Sequence, residues 1–188
     1  WEHAQGYYVR ADGSQTWEIN NFRQALRPLQ KLYGSTRAGE FGPRALLAVR
    51  QVMVQKGWCR NNINKMVNRI RLMFRWASEK ELISANVYHG LQTVRGLSKG
   101  RTEAKETKPV APAPQEHVDA VEPYVSRQVW ALIQLQLLTG ARSGELVTLR
   151  PCDIDMSGKI WFYRPSQHKT AHHGFSRTIY IGPRGQEV

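Results

Sequence analysis

The amino-acid sequence predicts a mainly α protein with a small β part, arranged as two units joined by a linker. Apolar residues recur at helical spacing through the first half of the chain. A stretch with three prolines and no apolar periodicity follows, and two short runs of β-branched and aromatic residues come near the end. We therefore expect a four-helix, all-α domain over residues 1–98, a linker over 99–117 and a mixed α/β unit over 118–188.

Four helices account for the first unit. Each carries one apolar stripe, and we expect them over residues 16–33, 43–56, 61–77 and 85–94. Pro28 disfavours the last turn of the first helix, because proline lacks an N–H and clashes with the preceding turn. Asn61 or Asn62 is expected to cap the third helix and Ser84 the fourth.

The second unit mixes helices and strands. Ser126 is a suitable N-cap for a helix that Gly140 ends, and a second helix is expected from about Ser143 to Leu149. Residues 160–163 and 178–181 have the composition of strands. Tyr163 and Tyr180 alternate with other strand residues and are interpreted as part of these strands.

The charge of the chain points to a polyanionic partner. The 188 residues carry a formal net charge of +12, and residues 1–100 hold 16 Lys/Arg against six Asp/Glu. Such a balance favours nucleic acid or an acidic membrane surface. The longest nearly apolar stretch, residues 129–138, is too short to span a bilayer. Two cysteines rule out a disulfide scaffold and a four-cysteine zinc site, and favour a reducing, cytoplasmic setting.

The third helix and the residues before it concentrate this positive charge. From residue 56 onward, the first acidic residue is Glu79, and six cations come before it: Lys56, Arg60, Lys65, Arg69, Arg71 and Arg75. The apolar stripe leaves them a separate face, which could lie along DNA with its cations on phosphates and Asn61, Asn64 and Asn68 on base edges. A solvated charged face is the plain alternative. A membrane surface fits less well, because the apolar stripe resembles a core-packing face.

A short motif in the second unit suggests phosphate chemistry. It is Leu138-Thr-Gly-Ala-Arg-Ser-Gly-Glu-Leu, in which Arg142 follows a helix-ending glycine. An arginine held there can direct the N–H groups of its planar guanidinium fork at an anionic oxygen. Glu145, one helical turn later, can orient that guanidinium group. By spacing alone, an ordinary surface Arg–Glu pair fits equally well.

This motif resembles the first conserved box of the tyrosine recombinases, the phage-integrase family. The His-Lys-Thr at residues 168–170, followed by Arg177 and a short strand, is similar to that family's β-hairpin with its catalytic lysine. The basic helical segment occupies the place of the family's core-binding domain. The resemblance implies a SAM-like core-binding domain over residues 1–98 and the start of the catalytic domain over 118–188.

The resemblance also implies an activity. Members of the family cleave one DNA strand through a tyrosine nucleophile, leaving a 3′-phosphotyrosine, without a metal or other cofactor. It implies that Arg142 contacts the scissile phosphate, that Glu145 supports it and that Lys169 is the general acid. The partner would be double-stranded DNA, held by a homo-tetramer of the complete enzyme at the nucleoid, during DNA integration or recombination of a mobile element.

The 188 residues lack the family's His-x-x-Arg box and tyrosine nucleophile. We therefore expect a truncated recombinase that is inactive on its own. A non-catalytic DNA-binding module from a natural truncation is the alternative, and RNA binding is disfavoured because the sequence has no aromatic strand motif for stacking bases. His168, His172 and His173 are expected to contact DNA from the hairpin rather than to bind a metal.

Overall fold

The computed structural model describes residues 1–10, 12–165 and 176–188, and the chain divides into two compact units, Trp1–Pro109 and Val110–Val188. Both the helical content and a single small antiparallel sheet agree with the predicted fold class, which is confirmed. The division falls inside the predicted linker. None of the helices in the described ranges combines the length and apolar character that crossing a bilayer requires.

The first unit contains the four predicted helices and one short additional helix. The helices are α1 (Glu2–Tyr7), α2 (Glu18–Tyr33), α3 (Pro43–Gln55), α4 (Arg60–Glu79) and α5 (Ala85–Gln92). Ser84 caps α5 as predicted, since its hydroxyl accepts a hydrogen bond from the Asn86 backbone N–H at 3.3 Å. The six residues of α1 are too few to show a periodic apolar stripe, so the sequence did not predict this helix.

Helix α2 continues through Pro28 to Tyr33, the predicted end of the helix, although proline disfavours its last turn. Pro28 is itself buried, together with Ile19, Phe22 and Ala25 on the same face of the helix. The free energy gained by burying this apolar stripe offsets the loss of the backbone hydrogen bond that proline cannot donate.

The predicted asparagine cap of α4 is wrong. The helix begins at Arg60 with Cys59 as its N-cap residue, and no side chain caps it. Cys59 instead forms a β-bridge with Lys105, in which the Arg60 N–H donates to the Lys105 carbonyl at 2.9 Å. Ala104, next to this bridge, is buried in the core of the helical unit. The first part of the predicted linker therefore packs on α4.

Helices α2 to α5 enclose one apolar core. Phe41 and Phe74 stack at its centre with a ring separation of 4.9 Å. Each fully buried aliphatic side chain contributes about 1.5–3 kcal/mol, and the largest of these are Leu46, Val49, Met53, Ile63, Ile70 and Leu91. The predicted stripe of α4 lies in this core from Ile63 to Phe74.

The second unit contains helices α6 (Gln115–Asp119), α7 (Arg127–Thr139), α8 (Ser143–Val147) and α9 (Pro183–Gln186), with strands β1 (Ile154–Asp155), β2 (Trp161–Tyr163) and β3 (Ile179–Ile181). The strands form an antiparallel sheet in the order β1-β2-β3, and Phe162 pairs with Tyr180 at its centre. As predicted, Ser126 caps α7, accepting from the Val129 N–H at 3.4 Å. The two-residue strand β1 was not predicted.

The core of the second unit is small. It contains Ala141, Leu146, Tyr163 and Ile179, and no residue of α7 is buried. Strand alternation places Tyr163 inward, whereas Tyr180 is 66% exposed on the outer face of the sheet. Both tyrosines are strand residues, as the sequence indicated.

Candidate functional site

A rigid turn delivers Arg142 to the start of α8. Gly140 ends α7 in the left-handed conformation, with φ of 63°, and its N–H donates to the Gln136 carbonyl. The Thr139 hydroxyl donates to the Leu135 carbonyl at 2.6 Å and accepts from the Ala141 N–H at 3.2 Å. The turn therefore fixes the backbone immediately before Arg142, which is the N-cap residue of α8.

Glu145 is the centre of the candidate site. It is only 4% exposed and is the one buried charged residue in the described part of the chain. Its Oε2 accepts from the Arg142 backbone N–H at 2.9 Å, and its Oε1 accepts from Arg142 Nη1 at 2.9 Å. Arg177 Nε lies 2.8 Å from the same Oε1 as an ion pair, although its N–H is not aligned for a hydrogen bond. We call these three residues the Arg142–Glu145–Arg177 cluster.

Two arginines keep this carboxylate charged. Burial alone would raise the pKa of Glu145, but the Arg142 backbone N–H and the guanidinium groups of Arg177 and Arg142 outweigh burial and hold the pKa below its usual value. An ionised, buried carboxylate between two arginines fixes both guanidinium groups.

The Arg142 guanidinium faces outward from this anchor. Its side chain is 54% exposed although Glu145, its partner, is buried. An anchored arginine with part of its fork open to solvent can bind an anionic oxygen with little loss of side-chain entropy. The predicted Arg142–Glu145 pairing is present, and it differs from an ordinary surface ion pair because its acid is buried.

Arg177 is a member of the cluster that we did not assign to the site from the sequence. It lies 32 positions after Glu145 in the chain, directly before β3. The pairing of β2 with β3 brings the start of β3 to the cluster. A buried acid shared by two arginines can be found from sequence only when the strand pairing is known.

The predicted general acid, Lys169, and the predicted DNA contacts His168, His172 and His173 lie outside the described residues. Their roles stay predictions. Within the ranges that the structure covers, no three His, Cys, Asp or Glu side chains gather as metal ligands would.

The cationic face of α4 is only partly open, which corrects the expectation of a continuous exposed face. Arg69 forms a two-point ion pair with Glu18, at 2.6 and 2.8 Å, and Arg60 pairs with Glu106 at 2.5 Å. The Arg69 guanidinium also holds the pKa of Glu18 below its usual range. These two arginines are largely neutralised within the unit.

Arg71 and Asn64 hold the chain that follows α5. Arg71 donates to the carbonyls of Leu91, at 3.1 Å, and Val94. The Asn64 amide donates to the Leu97 carbonyl at 3.0 Å and accepts from the Leu97 N–H at 2.8 Å. Both polar ends of Asn64 are occupied, so we no longer expect it to contact bases.

Five of the predicted contacts remain exposed on or before α4. They are Lys56, Asn61, Lys65, Asn68 and Arg75, which we call the α4 strip. Arg75 forms an exposed ion pair with Glu79, at 3.2 Å, which contributes little to stability and leaves the guanidinium available.

Replacing Asn64 with alanine is expected to destabilise the helical unit by about 1–3 kcal/mol, because the Leu97 N–H loses its partner and the Leu97 carbonyl keeps only the 3.4 Å hydrogen bond from Arg60 Nη1. Urea unfolding of the chain measures the loss. Asn68→Ala is the matched control, since Asn68 is exposed on the same helix, and its effect should stay within about 0.5 kcal/mol. Equal effects of the two substitutions would contradict the role given to Asn64.

No protein-family model and no curated protein matches the chain. Among solved structures, the Tn1549 transposon integrase in complex with circular intermediate DNA matches over 98% of this chain and 61% of its own, with a TM-score of 0.63 and 18% identity. A variant of that integrase with another circular intermediate DNA matches over 98% of this chain and 62% of its own, with a TM-score of 0.64 and 16% identity.

The chain thus spans about three fifths of the length of the structures that it matches. The match covers nearly all of the 188 residues, including both units. At this level of identity the comparison establishes the fold, and it agrees with the resemblance of the Leu138–Leu146 motif. The chain has the fold of a tyrosine recombinase.

Proposed function

We propose that the chain binds duplex DNA and supplies part of the active site of a tyrosine recombinase that cleaves and rejoins DNA at specific sites. The observation that carries the proposal is the Arg142–Glu145–Arg177 cluster, in which a buried carboxylate fixes an outward-facing arginine. The fold adds support, because the matching transposon integrase was solved in complex with DNA.

Arg142 acts on the scissile phosphate in this proposal. Its fork pairs with non-bridging oxygens and neutralises the negative charge that builds as the tyrosine oxygen attacks phosphorus. Glu145 is a positioning residue, and Arg177 forms a second ion pair with the same carboxylate. The P–O bond to the 5′-oxygen breaks, and Lys169 gives a proton to that oxygen, which leaves as a free hydroxyl while the tyrosine keeps the 3′-phosphate. These residues perform the step without a cofactor.

The complete enzyme is proposed to include the His-x-x-Arg box and the tyrosine, and to act as a homo-tetramer on DNA in the cytoplasm, integrating or excising a mobile element. The 188 residues alone are then inactive. The exposed apolar residues of α7, Val129, Leu137 and Leu138, support a larger catalytic domain that covers them.

A non-catalytic DNA-binding module is the second candidate. The exposed cations of the α4 strip favour it, because they lie in the helical unit and do not need the Arg142–Glu145–Arg177 cluster. In this case Arg142 would have no role beyond the fold.

The α4 strip is tested by replacing Lys56, Lys65 and Arg75 together with alanine. Each lost phosphate contact should make the slope of log K, the logarithm of the DNA association constant, against log salt less steep by about 0.9. The slope of the triple variant should therefore be less steep than that of the parent chain by about 2.7. Binding to a random-sequence duplex, followed by fluorescence anisotropy over a range of salt concentrations, measures the slope.

The matched control removes three other exposed cations of the same unit, Arg27, Lys31 and Arg37. It changes the net charge equally and should leave the slope close to that of the parent chain. If the two triple variants have the same slope, α4 does not face DNA.

A further inference from the structure

A second basic surface lies beside α3 and is lined by residues other than those assigned above. It is a cleft of about 430 Å³ between α3 and the chain that follows α5. Arg50 of α3 and Arg95 and Arg101 of the following chain line it, and no acidic residue is among its described lining residues. We call it the α3 cleft.

The chain that forms one wall of the α3 cleft is held at three of its residues, Val94, Arg95 and Leu97. Arg71 binds the carbonyls of Leu91 and Val94, and Arg50 Nη1 donates to the Arg95 carbonyl at 2.7 Å. Asn64 binds both backbone groups of Leu97. These contacts fix the wall before any ligand binds, which lowers the entropy cost of binding.

The wall packs against α4 at Gly96. A Cβ atom at this position would lie 3.4 Å from the Asn64 side-chain amide, at the near edge of ordinary van der Waals contact. The wall therefore lies directly beside the α4 face that bears Asn64, next to the α4 strip.

The positive charge of the α3 cleft has no counter-ion within the described chain. Arg50 and Arg71 donate to neutral carbonyl oxygens and have no ion-pair partner there. Burial and the charge of Arg71 both lower the pKa of Arg50, as expected where cations gather. The exposed side chains of Arg95 and Arg101 make no hydrogen bond or ion pair to the rest of the described chain. An anionic ligand would compensate these charges.

We propose that the α3 cleft binds backbone phosphates of duplex DNA, with Arg95 and Arg101 as the contacting side chains and Arg50 at its wall. This inference rests on the proposed DNA-binding function and extends it to residues outside α4. Phosphate fits because arginine forks bind its oxygens at two points and because a pre-formed backbone wall positions the duplex without reading bases. The α3 cleft and the adjacent α4 strip then form one DNA-facing surface.

The test is an Arg95→Ala/Arg101→Ala double variant of the 188-residue chain, compared with Arg27→Ala/Arg37→Ala. Both variants remove two exposed arginines of the helical unit whose side chains make no hydrogen bond or ion pair in the described residues. Circular dichroism and thermal melting confirm that both fold. The cleft variant should flatten the slope of log K against log salt for a random-sequence duplex by about 1.8, and the control should not change it.

The outcomes separate this inference from the proposed function. If the parent chain binds duplex DNA and the cleft variant keeps the parental slope, the α3 cleft is not a phosphate site, although DNA binding stands. If the parent chain does not bind duplex DNA in low salt, the proposed function fails and the cleft assignment fails with it.

Discussion

Arg142→Lys in the complete recombinase is expected to lower the rate of strand cleavage by about 10²–10³-fold, the cost of losing one well-placed donor to a developing negative charge. Lysine keeps the positive charge but lacks the planar guanidinium group, which Glu145 binds at Nη1 while the Arg142 side chain stays 54% exposed. DNA binding should change little, because the exposed cations of the helical unit supply most of the phosphate contacts that we propose. Single-turnover cleavage of a nicked substrate measures the rate.

Arg127→Lys is the matched control for this substitution. Arg127 is an exposed arginine at the start of α7 in the same unit, and its side chain makes no hydrogen bond or ion pair in the described residues. It should leave the cleavage rate unchanged. A recombinase whose rate is the same with lysine or arginine at position 142 would favour the non-catalytic module over the enzyme.

Glu145→Ala is expected to open the second unit locally. The substitution removes the acceptor of the Arg142 N–H and leaves the Arg177 Nε buried beside an empty space. Leaving a buried polar group such as the Arg142 N–H unpaired costs about 1–3 kcal/mol, and because the Arg142 side chain is half-exposed we expect about 2 kcal/mol in total. Amide hydrogen exchange in α8 and β3 should accelerate by roughly 30-fold.

The control is Glu116→Ala, which removes an exposed acid of α6 in the same unit. Its effect on exchange in α8 and β3 should be small. If exchange in these elements accelerates equally in both variants, Glu145 does not hold the cluster together.

The same carboxylate gives a pH dependence. The pKa of Glu145 is lower in the folded chain than in the unfolded chain. The ionised carboxylate therefore contributes fully to folding stability above the unfolded pKa of about 4.3, and this contribution is lost as pH falls through the lower folded pKa. Glu145→Gln lacks this titration. The difference in α8 exchange between parent and Glu145→Gln should therefore be constant near neutral pH and shrink below about pH 4.

Local chemistry predicted most of the helices. Ser84, Ser126 and Gly140 act on backbone groups within a few positions of themselves, so their effects can be predicted from the neighbouring sequence. The start of α4 could not be read in this way, because Cys59 is held by a bridge to Lys105. Pro28 lies within α2 and is buried in the core, which outweighs the local disadvantage of proline in a helix.

The candidate site shows the same limit. Arg142 and Glu145 lie three positions apart on one short helix, so their pairing followed from spacing. Arg177 joins them only through strand pairing. On α4, periodicity separated polar from apolar faces, but it could not show that Asn64 and Arg71 would bind the backbone after α5 while Lys65 stays exposed.

The account is tested most directly by the salt dependence of duplex binding by the 188-residue chain. The helical unit has five exposed cations that we assign to backbone phosphates, Lys56, Lys65, Arg75, Arg95 and Arg101, whereas Arg142 is assigned to the scissile phosphate of a specific site. At about 0.9 per contact, log K should fall linearly with log salt with a slope of about −4.5. An affinity that does not change with salt, or the absence of binding even in low salt, would contradict it.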